Sequence, residues 1–165
     1  MSDGRIEVFL SRPNWAPPVI EKRIEPLYSE LSSLGFHVNT VGKTHAPLKS
    51  PFEEMRELMR NCHCAIVLGL PLIFANDAKV QHDGETRRLV LSTEWNQIEA
   101  TAALMLGLPT LMLLHKSVEP RGIFVRGAAD LFIRQFDSLE SDWISGVRPS
   151  LAALRNARPS SPLRS

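Results

Sequence analysis

The stretch Cys62-His63-Cys64-Ala65-Ile66-Val67-Leu68-Gly69-Leu70 is apolar at nearly every position. A continuous apolar run of this length reads as a strand buried on both faces, the pattern of a parallel sheet covered by helices on each side. Upstream, Ser50-Pro51-Phe52-Glu53 opens a helix: Ser50 caps it, Pro51 takes the first helical position and Glu53 completes a capping box. Phe52, Met55, Leu58 and Met59 form its apolar stripe. Further upstream, residues 6–11 and 36–41 alternate and read as strands, the first with Ile6, Val8 and Leu10 on one face and Phe9 on the other. Between them a helical period runs through Ile20, Ile24, Leu27, Leu31 and Leu34, interrupted by Pro26 and closed by Gly35. Downstream, residues 71–91 read as a long irregular connection broken by Asn76, Asp77, Asp83 and Gly84. A helix follows from Ser92 or Thr93 to Leu106, ended by Gly107. Residues 109–115 make a fourth strand and residues 131–136 a short edge strand. Residues 141–154 make a closing helix, weakened by Gly146 and Pro149.

Strands alternating with helices imply right-handed crossovers and a parallel sheet. The expectation is an α/β, flavodoxin-like three-layer fold with a central, mainly parallel five-stranded sheet. Residues 1–155 are expected to form one domain and residues 156–165 a disordered tail. Sheets of this kind bind ligands at the carboxyl edge, where strand order reverses. That rule selects three loops: residues 11–18, 71–91 and 115–127.

The chain has 165 residues, 44% of them hydrophobic and 22% charged, with a formal net charge of +1. No bulk charge favours nucleic acid or an anionic membrane, so direct nucleic-acid binding is not expected. Cys62 and Cys64 are one residue apart, which on a strand puts both on one buried face. Without a second Cys/His pair they do not match zinc spacing, so no metal is expected. No disulfide framework is implied, and residues 1–5 hold no apolar leader. No apolar stretch approaches the roughly 20 residues of a membrane span. The expected location is the cytoplasm.

The helix over residues 92–106 presents Trp95, Ile98, Ala102, Met105 and Leu106 as its inward stripe. Glu99 lies one turn after Trp95 and one turn before Ala103, on or beside that face. A carboxylate there must find a partner or lose its charge. Its place near the helix start favours the ionised form. Two roles stay open at this point. One is a structural glutamate paired with a nearby arginine. The other is a charged group in a cleft beside an aromatic wall, suited to nucleophilic attack or to stabilising a cation.

The string Trp95-x-x-x-Glu99, then Ala103 and Gly107-Leu108-Pro109 leading into an apolar strand, resembles two families. One is the Toll/interleukin-1 receptor (TIR) domains of bacterial type with NAD-cleaving activity, whose catalytic glutamate often follows an aromatic by four residues. The other is the nucleoside 2-deoxyribosyltransferases, whose nucleophile opens a Glu-x-Gly-x-Ala-x-x-x-Gly-Lys-Pro run. Here Thr101 replaces the first of those glycines and Leu108 the lysine. The opening Glu7-Val8-Phe9-Leu10-Ser11-Arg12 is similar to the first TIR box, and Leu34-Gly35-Phe36 is typical of both families. The transferases usually carry a Ser-Asp pair before the central strand, where this chain has Asn61-Cys62-His63-Cys64. TIR-like is therefore the better match, over roughly residues 5–115.

The resemblance implies a hydrolase or cyclase that breaks the N-glycosidic bond of NAD or a related nucleotide, with Glu99 as the catalytic carboxylate. NAD is then substrate rather than cofactor, and no cofactor is expected. It also implies a place in bacterial antiviral defence, with a second copy or a defence protein as partner. Ser11, Arg12, Asn14 and Trp15, after the first strand, are candidate substrate contacts: arginine for a phosphate, tryptophan for a base. A solvated loop with Trp15 as a packed lid is the alternative. Trp95 would shape the nicotinamide or ribose pocket, with Asn96 beside it. Arg121 and Arg126 are candidate phosphate contacts or ordinary surface charge, and His115 a strand-end histidine or a ligand contact. Two rival functions remain: a non-catalytic nucleotide-sensing or self-assembling module, and a nucleoside 2-deoxyribosyltransferase.

Overall fold

The computed structural model describes residues 5–42, 49–81, 83–139 and 142–157. Its elements run β1 (Ile6–Ser11), α1 (Pro18–Ser33), β2 (Phe36–Asn39), α2 (Pro51–Arg60), β3 (Cys64–Gly69), β4 (Ile73–Lys79), β5 (Thr86–Leu91), α3 (Glu94–Met105), β6 (Thr110–His115), a 3₁₀ turn (Gly122–Phe124), β7 (Phe132–Phe136) and α4 (Trp143–Ala157). Five strands form one sheet in the order β2-β1-β3-β6-β7. All its pairings are parallel. This is the flavodoxin-like arrangement expected from the sequence.

Every residue of β3 is buried, because helices cover both faces of the sheet. On one face, Ile6, Val8, Leu10, Ile66, Leu68, Leu111 and Leu113 pack against Ile24, Leu27 and Leu31 of α1 and Val147, Leu151 and Leu154 of α4. On the other, Phe9 and Ala65 meet Met55 and Met59 of α2 and Ala103 of α3. Val67, Met112 and Leu114 meet Ala100 and Phe124 there as well. Pro26 and Pro149 lie inside α1 and α4. Each costs about 3 kcal/mol as a helix interruption. Each buried leucine around them returns roughly 1.5–3 kcal/mol, which outweighs the interruption. The Trp143 indole N–H donates to the Arg23 carbonyl at 3.0 Å and ties α4 to α1.

Local chemistry sets the boundaries. Ser50 caps α2 by accepting from the Glu53 backbone N–H, with Pro51 at the first position, as read from the sequence. Phe52 departs from that reading: it sits in the exposed first turn, outside the stripe of Met55 and Met59. β2 stops at Asn39, short of Val41. α4 continues through Asn156 and Ala157, which were expected in the tail; residues 158–165 lie outside the described residues. Cys62 and Cys64 are buried thiols but do not share a face. Cys62 precedes the strand and joins the α2 side, while Cys64 joins the α1 side.

The largest departure is the segment expected to be irregular. It folds as an antiparallel hairpin of β4 and β5, separate from the main sheet. The register shifts between Ala75 and Ala78, where Asp77 takes a φ of 55°. Asn76 and Asp77, read as strand breakers, instead form an irregularity inside a strand, which such residues tolerate. Arg87 of β5 pairs with Asp83 in the hairpin's own turn (2.6 Å) and ties the hairpin to Glu119, beyond β6 (2.8 Å).

Candidate functional site

In a sheet of order β2-β1-β3-β6-β7 the connections leave β1 in opposite directions, so a crevice opens beyond its carboxyl end. A cavity of about 310 Å³ lies there, lined by Pro13, Asn14, Trp15, Val41, Pro51, Thr93, Trp95 and Glu99. The loop after β1 supplies one wall, the end of β2 and the start of α2 a second, and the first turns of α3 the third.

α3 enters this site rotated from its expected setting. Its buried residues are Asn96, Glu99, Ala100 and Ala103. Trp95, Ile98 and Met105, expected inside, are exposed. The small side chains explain this. Ala100 and Ala103 let the helix backbone lie close on β3, while Asn96 and Glu99 find polar partners at the end of β1. A face with two alanines and two satisfied polar groups loses little by being buried, and the bulkier apolar residues are left outside.

Glu99 is only 9% exposed. Its Oε2 accepts a hydrogen bond from the Ser11 hydroxyl. The Ser11 oxygen accepts in turn from Asn96 Nδ2 at 2.9 Å, and Asn96 Oδ1 accepts from the Thr93 hydroxyl at 3.3 Å. Burial pushes the Glu99 carboxyl up to about 7, and the bond from Ser11 opposes the shift without cancelling it. The sequence reading had the helix dipole keeping this group ionised. Desolvation wins instead, and near neutral pH both protonation states are populated. A carboxyl group of this kind, beside a cavity walled by Trp15 and Trp95, can act as nucleophile, cation stabiliser or proton donor.

The cavity brings together Asn14, Trp15, Trp95 and Glu99 among the expected residues. Ser11 and Asn96 join through hydrogen bonds to Glu99 rather than by lining it. Arg12 turns away: its guanidinium is paired with Glu21, reaches the Tyr28 hydroxyl at 3.4 Å and donates from Nε to the Pro13 carbonyl at 3.0 Å. It braces the loop against α1, where the expectation was a phosphate contact. Arg121 is exposed, and its carbonyl accepts from Gln97 Nε2 at 2.8 Å. The neighbouring Gly122 makes room for Gln97; a Cβ there, at a φ of 57°, would stand 2.6 Å from Gln97 Oε1.

Arg126 lines a different cleft of about 520 Å³ beside β7, with Lys116, Arg134, Asp137, Asp142 and Trp143 among its walls. His115 points to neither site. The Ser117 backbone N–H donates to its Nδ1 at 3.1 Å, its ring stands edge-on to Phe136, and burial lowers its pKa. Of the three loops chosen from the sequence, only the one after β1 lines the cavity. Pro13, Val41, Pro51 and Thr93 were missed. The available signal was topological, because the end of β2 and the starts of α2 and α3 lie on the same edge as the end of β1.

No protein-family model matches the chain, and no curated protein matches it. Solved structures do. A CMP N-glycosidase of Clostridium botulinum, BcmB, is similar at 16% identity over 84% of this chain and 96% of its own, with a TM-score of 0.53. A 2-deoxyribosyltransferase of Bacillus psychrosaccharolyticus is similar at 12% identity over 84% of this chain and 94% of its own, with a TM-score of 0.48. The TIR domains of the activated Roq1 resistosome, which recognises the pathogen effector XopQ, are similar at 16% identity over 92% of this chain and 84% of their own, with a TM-score of 0.44. At these identities the likeness is one of fold.

Proposed function

We propose that this chain breaks, or transfers across, the N-glycosidic bond of a nucleoside or nucleotide, with Glu99 as the group that meets the sugar. One observation carries the reading: a buried carboxyl, held by a hydroxyl, faces a cavity with two tryptophans in its walls. About 310 Å³ is at the small end of ligand sites, so one nucleoside unit fills it and the rest of a dinucleotide lies outside. The tryptophans offer stacking surface for a base. Ionised Glu99 attacks the anomeric carbon or stabilises its developing positive charge. The carbon–nitrogen bond breaks, and its electron pair leaves with the base. A cationic nicotinamide leaves neutral without taking a proton, whereas a neutral pyrimidine must take one. Water, or a second base, then releases the sugar and restores the carboxylate.

NAD is the first substrate to test, on the strength of the TIR-like sequence motifs. CMP and deoxynucleosides follow, since proteins of like fold act on them by name. A role in antiviral defence, by NAD loss or a cyclic product, with a second copy or a defence protein as partner, belongs to the same proposal. The experiment is chromatography of free base after incubation with each substrate, beside Glu99→Gln. Base release that disappears in the variant is expected. Base exchange between deoxynucleosides selects transfer. Binding without turnover of any of the three defeats the reading in favour of a sensing module.

A further inference from the structure

The proposed chemistry needs one oxygen of Glu99 free and aimed, and the structure shows how that is arranged. Ser11, the last residue of β1, is fully buried, and Asn96 is 1% exposed. Serine has a single proton to give. Asn96 Nδ2 donates into the serine oxygen, so that proton is left for Glu99 Oε2. The amide cannot usefully turn round, because its own oxygen is held by the Thr93 hydroxyl. Each bond thus fixes the direction of the next, from Thr93 to Asn96 to Ser11 to Glu99. The chain ends on a group that can accept without limit only when it is ionised. Among the described residues no protein group donates to Oε1.

Resting on the reading above, we propose that Ser11 and Asn96 are positioning residues, not substrate contacts: their one-way hydrogen-bond chain clamps Oε2 of Glu99 and leaves Oε1 for the sugar. Thr93 anchors the far end and also lines the cavity. Charged groups on the surrounding elements face elsewhere. Arg12 after β1 holds Glu21, Glu7 on β1 holds His37, and Glu57 on α2 holds Lys49. On α3 itself Glu94 is exposed, and β3 turns Ala65 and Val67 toward the helices of this face. His115 at the end of β6 is bound to Ser117. The clamp is therefore made of neutral dipoles, and changing one dipole should move the titration of Glu99 directly.

The test uses the full chain carrying ¹³C-carboxyl glutamate, with the Glu99 signal assigned by its loss in Glu99→Gln. In the unaltered protein the signal should titrate near the value of about 7 expected from burial. Ser11→Ala should raise the midpoint by about one pH unit, because a donor to the charged form is gone. Ser11→Thr keeps the hydroxyl and should restore it. Asn96→Asp draws the serine proton away from Glu99 and adds a negative charge, so it should raise the midpoint further. In turnover, Ser11→Ala should lower kcat roughly tenfold at pH 7, keep KM within about twofold and move the acid limb by the same amount as the NMR midpoint. An unchanged Glu99 titration in Ser11→Ala and Asn96→Asp overturns the proposal. So does an activity loss confined to KM with an unmoved pH profile, which marks Ser11 as a substrate contact. Absence of turnover in the unaltered protein defeats the functional reading alone, since the NMR titration still decides whether the clamp exists.

Discussion

At the carboxyl edge of the sheet, the crevice beyond β1 and the cleft beside β7 are built from opposite materials. The first is the smaller, about 310 Å³ against about 520 Å³, with aromatic and proline walls and one carboxyl group. The second is rich in exposed charge, with Lys116, Arg126 and Arg134 facing Asp137 and Asp142. Charge density would favour the larger cleft as the reactive one, but solvation decides otherwise. Exposed charges are screened by water and salt, which weakens their hold on one another and on a neighbour. Glu99, the one buried carboxyl among the described residues, has only neutral partners, and burial pushes it up to about 7. The same contrast explains why the sequence reading merged the two sites. His115 ends β6, Arg121 and Arg126 follow it, and Glu99 meets the end of β1 at Ser11, so all of these lie on one edge. β3 stands between those strands, which at roughly 4.8 Å per strand separates them by about 10 Å.

The sharpest way to break this comparison is to remove the key group of each region. On the proposed reaction, Glu99→Gln should cut base release by roughly 10³-fold or more, because the carboxylate that meets the sugar is lost while shape is kept. Arg126→Ala should leave kcat/KM within about twofold. Initial rates on the best substrate decide it. A large loss in the arginine variant with a small one in the glutamine variant would reverse the roles of the two regions.

The second effect is on stability, and its sign follows from the direction of the shift. Below about pH 4.5 both folded and unfolded chains carry the Glu99 proton. Between there and about 7 the folded chain keeps it and the unfolded chain has lost it. Stability therefore falls as pH rises through that window and stays lower above it. The loss is of order 3 kcal/mol at most, by the conversion of pKa change to free energy. Glu99→Gln still accepts from Ser11 but carries no charge to bury. It should melt higher than the unaltered protein at pH 8 and equally at pH 4.5. Urea titrations at both pH values check this, and an equal gap at the two would show that burial does not govern Glu99.

How much of this was legible in sequence depends on which force set each element. β3 announced itself because both its faces are covered, and the start of α2 because Ser50, Pro51 and Glu53 act locally. The hairpin of β4 and β5 did not: Phe74 and Arg88 face solvent and stack on each other, so no apolar alternation marks the strands. Asp83-Gly84, read as a breaker, is the turn that joins them. Glu99 was singled out in the sequence, but its setting on the helix was partly misread. It was placed beside an inward stripe of Trp95, Ile98 and Met105, whereas it belongs to the inward face itself with Asn96. Only tertiary packing reveals that, because the alanines that seat α3 on β3 carry no periodic signal stronger than the bulky residues opposite. The arginines lie off the cavity for another reason. Sequence gives the loop a cation occupies, not the partner that claims it, and Glu21 claims Arg12.

Arg12 supplies the third test. Arg12→Ala takes the Arg12 donor from the Tyr28 hydroxyl and the Pro13 carbonyl, and removes the Arg12–Glu21 ion pair. Glu21 is about one third exposed, so the expected loss is modest, about 2 kcal/mol. The substrate response separates bracing from recognition. A brace changes the KM of a nucleoside and of its monophosphate by the same factor, while a phosphate contact weakens only the monophosphate.

The smallest effect is expected beside β7 and bears most directly on the claim that its charges are ordinary surface. Lys116 pairs with Asp137, but the two side chains are 59% and 74% exposed. Holding two long, hydrated side chains together gains little against their lost freedom and the screening of salt. Lys116→Ala should therefore change stability by less than about 0.5 kcal/mol, with the difference shrinking further at high salt. Denaturant midpoints at low and high ionic strength measure it. A loss well above that, insensitive to salt, would mean that the cleft holds its charges away from water as the crevice beyond β1 holds Glu99, and the contrast between the two regions would fail.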